Sequence, residues 1–247
     1  SKDHNVVVRG RAKKMGMRIN EYGVFTNDNA DTPVAGATES GVYEAIGLPW
    51  FPPELRESRQ EFDWAKNGDL PVLIELNDIR GDLHMHTTAT DGKASIEEMV
   101  AAAKKRGMSY IAITDHSKRV SMAFGLDAER LLAQWEEVDR INAKQGKSFT
   151  VLKGIECDIL EKGGMDLPDD VLAQADWVVA SVHYGQNQPR EQITERILGA
   201  LTNPYVSAIA HPTGRLINRR EPYEVDIEAV LMAAKEHGVV KTENNLL

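Results

Sequence analysis

Apolar positions along the chain fall into two regimes. From Arg80 onward, short continuous apolar runs alternate with stretches of helical period, whereas the first 55 residues carry only brief, mixed patterns. In the second regime Asp82-Leu83 opens a strand that ends at His84 and His86. Ser95 with Glu98 three residues on forms a capping box, behind which Ile96, Met99, Val100 and Ala103 recur at helical spacing until Gly107. Residues 110–114 are a strand-length apolar run, and Asp127 caps a long helix with Leu131, Leu132, Trp135, Val138 and Ile141 on one face. Further strands are predicted over 149–155, 177–182 and 206–210, helices over about 190–201 and 226–237, and a last strand from Val239. Continuous apolar strands between amphipathic helices imply an α/β fold with a parallel sheet covered by helices. Units of roughly 30 residues favour a β/α barrel over an open sheet.

The opening segment, 1–55, predicts a basic helix over 6–17, a strand over 22–25 and a second helix over 38–46 that ends at Gly47, before Pro49, Pro52 and Pro53. That is a small α+β segment with too little core for a free-standing domain. Residues 56–79 are acidic and mixed and read as a linker to the barrel at 80–247.

The residues at the ends of the barrel strands add chemistry to this outline. The first strand ends in His84 and His86, the second in Asp115-His116, the third in Glu156, the fourth in His183 and the fifth in His211. In a parallel barrel all strand C-termini lie on one face, so these residues converge there. Side chains two apart on a strand point the same way, which lets His84 and His86 share one ion. Asp91, in the Thr90-Asp91-Gly92 turn, is placed to add an oxygen ligand, and Glu156 can bridge two cations. Paired cations clamp a phosphoryl group and acidify bound water. Mixed imidazole and carboxylate ligands favour manganese, zinc or iron over magnesium. One histidine after one strand is ordinarily a hydrogen-bonded structural residue; five of the chain's seven at strand ends point to a metal cluster.

The remaining histidines, His4 and His237, read as structural, and Cys157, alternating away from Glu156, as a small core residue. Asp82 and Asp115 either orient the histidines or bond the strand ends; the sequence leaves both open. Lys118 and Arg119 after His116, and Arg215, Arg219 and Arg220 after His211, suit a phosphorylated substrate.

A net charge of −9 argues against a surface that coats DNA generally, but residues 1–20 hold Lys2, Arg9, Arg11, Lys13, Lys14 and Arg18 against Asp3, a patch able to grip a phosphate backbone. The single cysteine excludes an internal disulfide, and no stretch reads as a membrane span or secretory signal, so a cytoplasmic protein is expected.

Gly81-Asp82-Leu83-His84-Met85-His86 with Thr90-Asp91-Gly92, then Ile113-Thr114-Asp115-His116, Gly154-Ile155-Glu156, Ser181-Val182-His183 and Ala210-His211-Pro212 resemble the motifs of the PHP (polymerase and histidinol phosphatase) family. The resemblance implies a distorted seven-stranded TIM-like barrel with two to three divalent ions. His84, His86 and Glu156 would hold the first, Glu156, His183 and His211 the second, and Asp91 and His116 the third. Catalysis would fall to His84, His86, Glu156 and His183. Ser1-Lys2-Asp3-His4-Asn5, Asn20-Glu21-Tyr22-Gly23, Ala35-Gly36-Ala37-Thr38 and Leu48-Pro49-Trp50 are similar to the thumb and following linker of bacterial and archaeal family X DNA polymerases.

Together these resemblances imply a manganese-dependent 3′–5′ exonuclease and end-processing activity in DNA repair, with gapped or single-stranded DNA as partner. Asn5, Arg9, Lys118, Arg119 and Arg215 are the candidate DNA contacts. Two departures shape the expectation. The polymerase palm would precede Ser1, so this piece is not expected to synthesise DNA. The family's last motif, an Asp-x-His, is missing after the final strands, so a C-terminally incomplete barrel is expected. Competing readings are a phosphatase of the histidinol-phosphatase type, an amidohydrolase and a non-catalytic scaffold that holds DNA. The thumb-like segment speaks against the first. Glu156, where an amidohydrolase usually needs a bridging lysine, speaks against the second.

Overall fold

A computed structural model describes residues 1–29 and 31–242, which form two compact units dividing between Ile74 and Glu75. The stretch 243–247, where the barrel's last motif is expected to be missing, lies outside the described residues. The first unit begins with helix α1 (Lys2–Lys14), whose N-cap is Ser1 and whose last turn carries Arg11, Lys13 and Lys14, a charge order that suits the helix dipole. This helix starts and stops earlier than its apolar pattern predicts, because Ser1 caps it and Gly16 turns the chain at φ 71°. Strand β1 (Met17–Asn20) then pairs antiparallel with β2 (Gly23–Thr26). Gly23 has φ 137°, and a Cβ there would lie 2.3 Å from the Ala35 carbonyl oxygen. Helix α2 (Glu39–Ala45), capped by Thr38, and helix α3 (Glu61–Asn67) complete the unit.

Helix α3 corrects the expected linker over 56–79. The charge of that stretch masks Phe62, Ala65 and Leu70, which pack on a core of Val8, Ala12, Val24, Tyr43, Ile46 and Phe51. The buried His4 ring lies at its centre. Its Nδ1 is 2.9 Å from Glu61 Oε1 and its Nε2 2.9 Å from the Tyr43 hydroxyl, and it stacks on Phe62 at 4.9 Å. Burial opposes ionisation of Glu61, but the His4 contact and backbone N–H donors, including Ser58 and Arg59, hold its carboxyl below the usual range.

The second unit alternates strand and helix. In order come β3 (Gly81–Met85), α4 (Ile96–Lys105), β4 (Tyr110–Ile113), α5 (Ala128–Gln145), β5 (Thr150–Asp158), α6 (Asp169–Leu172), β6 (Trp177–Ser181), α7 (Arg190–Leu201), β7 (Ala208–Ala210), α8 (Ile227–His237) and β8 (Val240–Thr242). The predicted caps are in place: Ser95 and Glu98 form the box on α4, and Asp127 accepts from Arg130 N at the start of α5. The six strands are parallel and neighbour one another in chain order, β3 to β8. Strand order without reversal is that of a barrel wall rather than a doubly wound sheet.

The main core packs Ile155, Cys157, Val178 and Ala180 of the sheet against Leu131 and Trp135 of α5 and Ile193 and Ile197 of α7. Along β5 the alternation therefore sends Ile155 and Cys157 to the helix side and Glu156 and Asp158 to the concave side. Strand β5 runs three residues past its expected end at 155, because pairing with β6 continues through Asp158 and Ser181.

Candidate metal centre

Glu156 is 1% exposed and lies where four other strands deliver imidazoles. Its Oε2 is 3.3 Å from His84 Nε2, 3.4 Å from His86 Nε2 and 3.0 Å from His116 Nδ1. Its Oε1 is 3.4 Å from His183 Nε2 and 3.1 Å from His211 Nε2. In a flat sheet β3 and β7, four neighbours apart, would be separated by about 19 Å. For His84 and His211 to meet one carboxylate the sheet must curl, and the centre is itself the sign of that curl. Asp91 lies on the outer side of the cluster, its Oδ1 3.6 Å from His86 Nδ1 and its Oδ2 3.5 Å from His116 Nε2. All seven residues expected as ligands are thus brought together.

The contacts have the character of ligands aimed at shared ions. Glu156 Oε2, His86 Nδ1 and His116 Nδ1 are buried and make no hydrogen bond within the protein, although nitrogens and oxygens stand within 3.6 Å of one another. Buried polar atoms left this way are costly unless something else satisfies them. Three groups place their donor atoms within 4.8 Å of each other: His84, His86 and Glu156; His86, Asp91 and His116; and His116, Glu156 and His183. Imidazole nitrogen and carboxylate oxygen in these numbers fit divalent transition-metal ions.

Electrostatics follow the same plan. Burial resists ionisation of Glu156, but the facing imidazoles of His116, His183, His211 and His84 outweigh it and hold the carboxyl well below its usual range. Burial likewise pushes the His86 ring down, with Glu156 and Asp91 pulling the other way. His183 goes up to about 9, because Asp158 and Glu156 together overcome its burial. His211 holds φ at 30°, an uncommon left-handed backbone for a non-glycine residue, and so the centre stores some strain.

Asp158 is absent from the ligands and partners that the sequence predicts. Fully buried on β5, it accepts from His183 N at 2.9 Å and faces His183 Nδ1 at 3.3 Å, which fixes the ring. Its place two residues after Glu156, on the same side of a strand, was the available signal. Asp82 and Asp115 resolve as backbone and loop anchors. Asp82 accepts from His84 N, while Asp115 accepts from Thr87 N, Thr87 Oγ1, Thr90 Oγ1 and Gln134 Nε2. Asp115 therefore holds the loop between His86 and Asp91 rather than an imidazole.

The expected DNA contacts are spread over both units. Asn5 and Arg9 lie exposed on α1, and Lys118 and Arg215 are exposed in the loops after His116 and His211. Arg119 is engaged: its Nε is 3.1 Å from Asp158 Oδ2, it pairs with Glu161, and its guanidinium lies over Tyr184.

A curled parallel sheet that gathers histidines from successive strands around one glutamate is the architecture of the PHP domain, and the chain belongs to that family, which it matches over residues 82–239. Residues 1–57 match the DNA polymerase beta thumb. Over 236 residues, 96% of its length, the chain is 49% identical to the DNA polymerase/3′-5′ exonuclease PolX of Bacillus subtilis (strain 168) and spans 41% of that relative. It is 34% identical over 170 residues to a probable phosphatase of Thermoanaerobacter sp. (strain X514), and over 168 residues to one of Acetivibrio thermocellus, in each case 66% of this chain and 64% of the relative. The thumb followed by a PHP domain is the arrangement of a bacterial family X DNA polymerase. Among the described residues no helix is long and apolar enough to cross a membrane.

Proposed function

We propose that the centre hydrolyses phosphodiesters at the 3′ end of DNA, as the exonuclease and end-processing part of a repair polymerase. The observation that carries this reading is the single buried carboxylate of Glu156, with both oxygens facing imidazoles. His84, His86 and Glu156 form one ligand set; Glu156, His183 and His211 a second; His116 and Asp91 a third. Manganese or zinc suits them best. When bound, such ions neutralise phosphoryl oxygens and acidify water. The chain's own part is to fix the ligand geometry through Asp158 on His183 and Asp115 on the loop of Asp91. The thumb-type segment, with Asn5 and Arg9 exposed, supports a DNA substrate; Lys118, Arg119 and Arg215 stand in loops just beyond the ligands.

A small phosphomonoester substrate is the second reading, favoured by the probable phosphatases that share the PHP half. Chelated protein reloaded with manganese and given 5′-labelled single-stranded DNA separates the two. Stepwise loss of 3′ nucleotides, reduced by 10³-fold or more in His84→Ala and Glu156→Gln with DNA binding retained, is the expected result (on the order of a removed metal site). Unchanged degradation in those variants would rule the site out.

A further inference from the structure

The turn after His116 holds two large apolar side chains in the open, Met122 at 85% and Phe124 at 73% exposure. Exposed apolar residues are common and mean little singly. The backbone beneath these two is unusual. Phe124 has φ 55° and ψ 35°, the left-handed region that bulky side chains rarely adopt. No burial of the ring offsets that strain.

The turn is nevertheless firmly held. Val120 N donates to Ser117 O at 3.0 Å, Gly125 N to Val120 O at 3.1 Å, and Leu126 N to His116 O at 2.7 Å. The Arg130 guanidinium donates to Phe124 O at 2.8 Å, Gly125 O at 3.0 Å and Ala89 O at 3.1 Å, which ties the turn to the loop that carries Asp91. A Cβ on Gly125 would lie 1.9 Å from Ser117 O, so that contact admits glycine alone. Val120 and Ala123 point inward and are buried. The Phe124 ring is therefore presented to solvent from a fixed backbone on the turn after His116, with Lys118 exposed on the same turn.

We infer that Phe124, flanked by Met122, is a stacking platform for a nucleobase at the 3′ end of single-stranded DNA entering the metal centre. The inference rests on the exonuclease reading above. Every base offers a π face, so a lone aromatic ring grips the strand without regard to sequence, which suits an enzyme that degrades ends. Lys118 adds attraction for the backbone phosphates. Two side chains make a patch far smaller than a stable protein interface needs, whereas one base requires no more. A small phosphomonoester without a base gains nothing from the ring, so Phe124 would tune specificity toward polynucleotides.

The test uses the full chain loaded with manganese and compares Phe124→Gly, Phe124→Ala and Phe124→Tyr with the parent on a labelled oligothymidylate and on bis(p-nitrophenyl) phosphate. Glycine relieves the left-handed strain, so misfolding does not confound that variant, and its melting temperature should equal or exceed the parent's. KM for the oligonucleotide is expected to rise about tenfold in the glycine and alanine variants, in line with the loss of one stacked base. Tyrosine should restore it, and kcat and small-ester turnover should not move. A rise of less than threefold, a rise that tyrosine fails to reverse, or an equal loss on the small ester overturns the inference. Should the parent cleave the small ester but not DNA, the exonuclease reading falls by itself. Photocrosslinking from a terminal 5-iodouracil then decides the platform: an adduct on Phe124 supports it and an adduct elsewhere, or none, refutes it.

Discussion

Glu156 and Asp158 stand two apart on β5 and divide the work of the centre between them. Glu156 faces the five imidazoles of the centre; of these Asp158 faces His183, and it is held in turn by Arg119. A partner that orients a metal-binding imidazole typically contributes about 10- to 100-fold to affinity or activity. Asp158→Asn should lower metal affinity or turnover by about that factor while leaving the other ligands in place; isothermal titration with manganese against the parent checks it, and unchanged affinity and turnover would show Asp158 to be merely structural. The residues gathered at the centre were legible in the sequence because the histidines and Glu156 fall at the predicted strand ends. Asp158 was harder to read, since the predicted strand stops at Ile155 and only its spacing of two from Glu156 hinted that pairing with β6 continues. The role of Asp115 was equally hidden, because its partners Thr87, Thr90 and Gln134 come from two separate elements.

Among the elements, the loop from β3 to α4 is tightly constrained. Its Gly92 lies so close to the preceding turn that a Cβ would sit 2.2 Å from His86 O. Gly92→Ala should therefore cost about 1–3 kcal/mol, the usual range for overpacking, and displace His86 and Asp91 together; denaturant melts paired with metal titration would register both losses. In the first unit, Arg56 grips Glu39 with two guanidinium bonds, at 2.6 and 2.8 Å, and Trp50 adds a third. The Arg56 and Trp50 bonds hold the Glu39 carboxyl down at about 2. A depressed carboxyl stabilises the fold above its unfolded value near 4.5 and loses that contribution as pH falls through about 2. Glu39 is half exposed, so solvent screening limits the effect to about 1 kcal/mol or less at neutral pH. The stability gap between Glu39→Gln and the parent should shrink steadily from pH 4.5 to pH 2; a gap constant across that window would contradict the pairing.

Helices and strands of the second unit were readable because caps and apolar period agree there, as at Ser95 and Asp127. Helix α3 was not, because Glu61 and Asp63 obscure the inward Phe62, and its anchor His4 lies 57 residues away.

Taken whole, the molecule has a core for each unit, and among the described residues the candidate ligand groups lie in only one of them. Ions that bind the folded state stabilise it by about 2.7 kcal/mol at a hundredfold excess over Kd. Calorimetry with manganese and with chelator should move one unfolding transition upward by about 5–11 °C and leave the transition of the His4-centred unit where it is. A common shift of both, or none, would contradict the separation of cores and centre.

The order in which β3 to β7 add to the sheet has a bearing on biosynthesis. His84 leaves the ribosome more than 100 residues before His211, so a growing polypeptide owns only scattered donors until β7 has docked. Ion capture would then act as a late quality check, rewarding chains whose wall has bent far enough and leaving the rest open to proteolysis.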